Sequence, residues 1–220
     1  MRLFIDTANL KQIREAVSWG VVEGVTTNPS LACKEIESLK NMTLHAYYKE
    51  ICSAIDGPVS LETVSPDANG MVEEAKVLAK IADNVCAKIA CSEEGIKAVT
   101  ILNREGIMTN VTLVFSANQA LLAALAGATF VSPFIGRIDD AGNDGMTTLE
   151  EIVEIYYEYG FDTEIISASL RHPLHVVQSA LAGADIATVP YDVLKKMFTH
   201  PLTEKGTAKF LEDYKKIPGK

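Results

Sequence analysis

Short apolar or β-branched runs recur eight times along this chain, and a helical pattern follows each one. The runs fall at residues 3–6, 25–28, 59–63, 85–90, 109–114, 130–135, 165–170 and 186–191. Between them, apolar residues recur at helical spacing. Leu10, Ile13, Ala16 and Val17 share one face with Gly20 past its end, and Met71, Val72, Ala75, Leu78 and Ala79 share another. Ser116 with Gln119, and Thr147 with Glu150, carry the spacing of capping boxes. Pro173 suits a first helical turn, and Gly127 and Gly183 suit left-handed helix ends. Leu125-Ala126-Gly127-Ala128 and Leu181-Ala182-Gly183-Ala184 repeat one joint: helix end, glycine cap, then strand. Such alternation over 220 residues predicts a single α/β domain, residues 1–220, folded as a (β/α)8 TIM barrel with a helical extension at about 201–216. An open doubly wound sheet fits less well. No GxGxxG or GxxxxGK[ST] follows any run, and the runs hold too many polar residues for strands buried on both faces.

Charge and composition exclude several classes of function. Lys and Arg number 20 against 29 Asp and Glu, a net charge of −9, whereas nucleic acid and anionic membranes call for a basic face. No apolar run reaches the roughly 18 residues of a membrane span. Arg2 and Asp6 interrupt the first run too early for a signal-peptide core, which predicts a cytoplasmic protein. Cys33, Cys52, Cys86 and Cys91 include no CxxC pair and read as reduced, buried thiols. His172 and His175 have metal-pair spacing but no suitably placed third ligand, so His172 reads as a cap-region residue and no metal is assigned. His45 and His200 read as surface or helix residues, and Trp19, Tyr156 and Tyr157 as packing residues.

In a barrel, strand alternation decides which side chains face inward, and chemistry gathers at the C-terminal strand ends. By that rule the mouth receives Asp6, Thr26, Asn28, Ser60, Glu62, Cys86, Lys88, Ala90, Asn110, Thr112, Ser132, Phe134, Ser167 and Ser169, with Arg171 beyond. Lys88 is the most informative of these, as the lone charge in the run Val85-Cys86-Ala87-Lys88-Ile89-Ala90. On an edge strand such a lysine would simply face water, but a closed barrel has no edge. Among apolar neighbours its ammonium form is disfavoured. A shift from about 10.4 to about 7–8 makes the neutral amine plentiful, and a neutral amine attacks ketones. Asp6 and Glu62 end apolar strands, where one can move protons during imine formation and the other can hold water. Arg137, Ser169 and Arg171 follow strands six and seven and suit a phosphate monoester. Arg137 has Asp139 and Asp140 close by in sequence, whereas Arg171 has no near acidic neighbour.

Several long motifs in this chain resemble the transaldolase family, closest to its short single-barrel subfamily that includes fructose-6-phosphate aldolase. They are Phe4-Ile5-Asp6-Thr7-Ala8-Asn9, Gly24-Val25-Thr26-Thr27-Asn28-Pro29-Ser30, Ala87-Lys88-Ile89, Thr109-Asn110-Val111-Thr112-Leu113-Val114-Phe115, Val131-Ser132-Pro133-Phe134-Ile135-Gly136-Arg137-Ile138-Asp139-Asp140 and Ala168-Ser169-Leu170-Arg171-His172-Pro173. The resemblance implies a class I aldol mechanism on sugar phosphates, in the pentose phosphate pathway, with no cofactor because a lysine supplies the electron sink. It implies Lys88 as the Schiff-base lysine, Asp6 as general acid/base, and Glu62 with Thr112 as holders of the catalytic water. It implies Asn28, with Thr26 nearby, on the dihydroxyacetone unit, and Arg137, Ser169 and Arg171 on the phosphate. It also implies a homo-oligomer, a pentamer or decamer, in which the terminal helix (here carrying Phe210, Leu211 and Tyr214) often reaches a neighbour.

Four positions divide the two activities of that subfamily. Fructose-6-phosphate aldolases resemble a pattern with Gln, Leu, Ala and Tyr where this chain has Glu62, Asn110, Ser132 and Phe134, which are the transaldolase choices. A tyrosine hydroxyl in place of Phe134 would help a water protonate the enamine and free dihydroxyacetone, and an apolar ring cannot. The chain departs from the family at Ala90-Cys91-Ser92, where Pro-Met-Thr is usual, so the end of the fourth strand is expected to be looser. The rival readings are an aldolase releasing free dihydroxyacetone and, more remotely, a sugar-phosphate-binding barrel without catalysis.

Overall fold

The computed structural model describes residues 1–36 and 42–218. Eight parallel strands close into a barrel in which each pairs with its neighbours in chain order and β1 pairs with β8. The order is β1 (Arg2–Asp6), α1 (Leu10–Ser18), β2 (Val22–Thr26), α2 (Pro29–Ile36), α3 (Leu44–Ser53), β3 (Val59–Glu62), α4 (Ala68–Ala79), β4 (Val85–Ala90) and α5 (Glu93–Arg104). It continues with β5 (Thr109–Val114), α6 (Ala117–Leu125), β6 (Phe130–Pro133), α7 (Ile135–Asp140), α8 (Gly145–Tyr159), β7 (Glu164–Ser167), α9 (Pro173–Ala182), β8 (Ile186–Pro190), α10 (Tyr191–Met197) and α11 (Pro201–Lys215). This is the (β/α)8 barrel that the alternation predicts. Among the described residues no helix is long and apolar enough to cross a membrane.

Two apolar layers hold it. Outward strand residues such as Ile5, Val25, Leu61, Ile89 and Val111 pack against the helices in one large buried cluster. Inside the barrel Phe4, Cys86, Phe130, Ile166 and Ile186 form a smaller cluster that fills the end away from the mouth. The Phe4 and Phe130 rings meet edge to face at 6.3 Å. The repeated joint is present twice. Gly127 and Gly183 lie at φ +81° and +94°, and the N–H groups of Ala128 and Ala184 close their helix ends on Ala123 and Ser179 carbonyls.

Several boundaries differ from the sequence reading for identifiable reasons. β2 begins at Val22 and ends at Thr26, and Asn28 accepts from the Leu31 amide as a cap for α2. β6 ends at Pro133, and Phe134 opens α7. β7 ends at Ser167, because Ser169 turns to φ +60° and leaves the strand. Thr147 lies inside α8, whose cap is Asp144, accepting from the amides of Met146 and Thr147. Ser116 precedes α6, but its hydroxyl donates to the Gln119 side chain instead of capping an amide. The cysteines form no disulfide, but only Cys52 and Cys86 are buried; Cys91 is half-buried and Cys33 is exposed on α2.

Candidate active site

The inward faces of the strands stack above the apolar plug. Ser60, Asn110 and Ser132 come first, joined across β3, β5 and β6: the Asn110 amide donates to Ser60 Oγ at 3.1 Å, and Ser132 Oγ donates to Asn110 Oδ1 at 2.8 Å. Asn110 is fully buried by this work, and it braces Ser132, which lines the mouth. Higher still stand Asp6, Thr26, Lys88 and Thr188, around a mouth cavity of about 190 Å³ that Asn28, Phe134, Arg137, Ser169 and Arg171 also line.

Lys88 is 5% exposed, and its ammonium is answered by polar groups rather than by the apolar walls the sequence led one to expect. Nζ lies 3.1 Å from Glu62 Oε2 and donates to the Thr27 carbonyl at 2.9 Å. That carbonyl is well fixed, because both the amide and the hydroxyl of Thr27 donate to the Ser60 carbonyl. A buried charge held by a carboxylate and a rigid carbonyl cannot drift from its position without leaving a partner unsatisfied.

Asp6 faces Lys88 from β1. Its Oδ1 accepts from Thr26 Oγ1 at 2.8 Å, and Thr26 Oγ1 lies 2.6 Å from Thr188 Oγ1. Burial pushes the Asp6 carboxyl above its ordinary 3.8; Lys88 and the Thr26 hydroxyl pull it back, and Glu62 adds to the rise. The result is a carboxyl that holds its proton to higher pH than a free one, as a proton donor requires. Thr188 escaped the sequence reading, although alternation along Ile186-Ala187-Thr188 marks it by the same rule that marks Thr26.

Glu62 lies at a boundary. It reaches Lys88 but lines, instead of the mouth cavity, a second one of about 630 Å³ between α2, α3 and α4, walled mainly by apolar side chains such as Ala32, Ile36, Leu44, Val77 and Leu78. Thr112 is buried on β5, and its hydroxyl finds no partner among the described residues. Next to it Leu113 adopts φ +57°, and the β5–β6 register shifts between Val111 and Val114. A bulky residue there is strained, and bulges of this kind re-aim side chains beside sites.

At the far side of the mouth the arginines exchange the settings their sequence neighbours implied. Arg137 stacks its guanidinium 5.2 Å from the Phe134 ring centre, which also meets Phe115 edge to face at 5.8 Å. Arg171, with no acid near it in sequence, pairs with Asp140 Oδ2 at 2.6 Å. Ser167, expected in the mouth, instead faces α9 and bonds Ser179 at 2.7 Å, while Ile166 and Ala168 point inward. The left-handed turn at Ser169 then returns the chain to the mouth. His172 caps α9, accepting from the His175 amide. Among the described residues no group of three or more His, Cys, Asp or Glu side chains could hold a metal ion.

Comparison with known proteins agrees with this arrangement. The profile of the Transaldolase/Fructose-6-phosphate aldolase family matches residues 3–218. A Caldicellulosiruptor saccharolyticus protein named "Probable transaldolase" is 57% identical over 221 residues, covering 100% of each chain. One of the same name from Methanococcus maripaludis is 56% identical over 214 residues, 97% of each chain, and one from Hydrogenobaculum sp. is 55% identical over 220 residues, 100% of this chain and 99% of its own. Among solved structures, the thiamine phosphate pyrophosphorylase of Pyrococcus furiosus superposes with a TM-score of 0.58 at 15% identity, over 86% of this chain and 85% of its own, a likeness of fold. A closed eight-stranded barrel, a buried lysine at its mouth held by Glu62 and the Thr27 carbonyl, and a family match spanning both ends of it lead to one assignment: this chain is an enzyme of the transaldolase/fructose-6-phosphate aldolase family.

Proposed function

We propose that the enzyme is a transaldolase that moves a dihydroxyacetone unit between sugar phosphates through a Schiff base on Lys88. The observation that carries this reading is the setting of the Lys88 amine, buried at the mouth 3.1 Å from Glu62 and facing the proton-holding Asp6. The Lys88 ammonium passes a proton to Glu62, 3.1 Å away, and the resulting amine forms a C–N bond to the keto carbon of a ketose phosphate such as fructose 6-phosphate or sedoheptulose 7-phosphate. Asp6 donates the proton with which the carbinolamine hydroxyl leaves as water, giving a protonated imine. The Asp6 carboxylate then takes the C4 hydroxyl proton, and C3–C4 breaks. The electron pair flows into the imine, leaving a dihydroxyacetone enamine and releasing an aldose phosphate. The enamine adds to an acceptor such as glyceraldehyde 3-phosphate or erythrose 4-phosphate, and water returns to free Lys88.

In this scheme Glu62 and Thr112 hold that water, which suits a buried Thr112 hydroxyl with no partner among the described residues. Asn28 and Thr26 orient the dihydroxyacetone unit. Asn110 acts through Ser132, to which it is bonded. Arg137, Ser169 and Arg171 hold the phosphate. Transfer, rather than release of free dihydroxyacetone, is favoured by the apolar Phe134 ring, clamped between Phe115 and Arg137, which offers no hydroxyl to protonate the enamine. Four cysteines without a disulfide suit a reducing compartment such as the cytoplasm.

Borohydride added with fructose 6-phosphate is expected to fix the sugar on the peptide that carries Lys88, and mass spectrometry locates the adduct. Its absence, or its appearance on another lysine, removes the mechanism. Turnover of fructose 6-phosphate is expected to need an acceptor aldehyde; steady release of dihydroxyacetone without one identifies an aldolase instead.

A further inference from the structure

Arg171 depends on a chain segment that the fold must hold against its own preference. Ser169, two residues earlier, sits at φ +60°, a conformation a serine keeps only when its surroundings impose it. On one side α7 clamps the segment: the amides of Ile135 and Gly136 donate to the carbonyls of Ala168 and Ser169 at 3.0 and 3.1 Å. On the other side the clamp is a side chain. His175, in the first turn of α9, is 7% exposed, and its Nδ1 accepts from the Arg171 backbone amide at 3.3 Å. Its Nε2 lies 3.2 Å from Asp139 Oδ2 on α7, and the other oxygen of Asp139 accepts from the Gly145 amide at the start of α8.

A neutral imidazole has one donor and one acceptor. With Nδ1 accepting, the proton sits on Nε2 and points to Asp139, so the two partners select one tautomer. We propose that His175 is a positioning residue for the phosphate subsite, its unprotonated Nδ1 holding the Arg171 backbone in the place from which the guanidinium reaches the phosphate of a sugar-phosphate acceptor. The inference rests on the proposed phosphate role of Arg171. A second proton on His175 would set an Nδ1–H against the Arg171 N–H and abolish the bond. Burial, the His172 ring 3.8 Å away and Arg171 all oppose that proton, while Asp139 favours it; the balance holds His175 below its ordinary 6.5. Asp140 is the remaining charge nearby, and it is engaged by Arg171.

The test compares glyceraldehyde 3-phosphate with unphosphorylated glyceraldehyde as acceptor, for the parent, His175→Leu, His175→Asn and Arg171→Met, from pH 5 to pH 8. Removing the acceptor with leucine is expected to raise KM for the phosphorylated acceptor about three- to tenfold, the worth of one hydrogen bond, with kcat and the KM for glyceraldehyde nearly unchanged. Asparagine supplies an oxygen at the Nδ1 position and is expected to restore KM. It retains only the acid-side rise due to the phosphate's own ionisation, near 6. An equal loss with both acceptors, or an asparagine variant with the parent's acid limb, overturns the proposal. If the leucine variant does not fold, the parent and asparagine profiles decide between these outcomes. Arg171→Met separates the two claims: if it spares the preference for the phosphorylated acceptor, the phosphate reading itself fails. If it destroys that preference while His175→Leu does not, only the role of His175 fails.

Discussion

At Asp6 burial outweighs the pull of Lys88 and of the Thr26 hydroxyl, so the carboxyl protonates above its ordinary 3.8. The folded state therefore binds this proton more tightly than the unfolded chain does. Stability from this group is fully present below 3.8 and is lost as pH rises through the higher folded value, so at neutral pH the group costs the fold stability. Replacing it with asparagine is expected to raise Tm at pH 7 by about 2–4 °C, with a smaller gain at pH 4. The same change is expected to lower kcat about a hundredfold or more, through loss of the proton donor. Thermal melts at both pH values beside initial rates check the pair; a lower Tm at pH 7 would contradict the balance of forces at this carboxyl. Lys88 and Asp6 were legible in the sequence because a lone charge in an apolar strand has few explanations. Thr188 follows from the alternation that marks Thr26, but no charge or motif beside it drew attention to the strand. The Asp140 partner of Arg171 was not legible, because it lies 31 residues away and only the fold brings it near.

Among the elements, β7 and its loop show where pattern reading stops working. A strict two-residue alternation put Ser167 and Ser169 on one face, yet Ser167 turns to α9 and the left-handed turn at Ser169 resets the phase. Nothing in a run of serines and alanines announces a positive φ. Its support is spread over other elements, chiefly Gly136 at the start of α7. A Cβ there would stand 2.1 Å from the Ser169 carbonyl oxygen and 2.8 Å from Arg171 Cγ, so only glycine lets α7 come this close. Gly136→Ala is expected to cost about 1–3 kcal/mol in urea unfolding and to weaken phosphorylated substrates more than glyceraldehyde. Unfolding and KM both at the parent's level would show that the clamp does not bear on the loop. Helix starts were half legible: Pro173 and the glycine caps read correctly, whereas α8 starts three residues before Thr147 could cap it, because Asp144 takes the amides of Met146 and Thr147.

For the whole molecule, eight-fold alternation made the barrel legible, because parallel strands joined by helical crossovers have few ways to close. The outside of α11 was less so. The helix forms, but none of its residues is buried, and Leu202, Phe210 and Leu211 are 71%, 74% and 54% exposed. Apolar side chains gathered on an uncovered helix fit the oligomer that the family resemblance implies, with α11 against another subunit. Phe210→Asp is expected to lower the mass measured by light scattering while leaving the far-ultraviolet dichroism of the barrel intact. An unchanged mass would place the subunit contact elsewhere.

The cluster of Phe4, Cys86, Phe130, Ile166 and Ile186 fills the barrel beneath Lys88 and leaves the mouth cavity at the C-terminal ends of the strands. In the proposed transfer both half-reactions share this one berth at Lys88: the departing aldose vacates it while the dihydroxyacetone unit stays bonded to the amine, and the second aldose takes its place. A ping-pong order is the kinetic signature expected of that covalent relay.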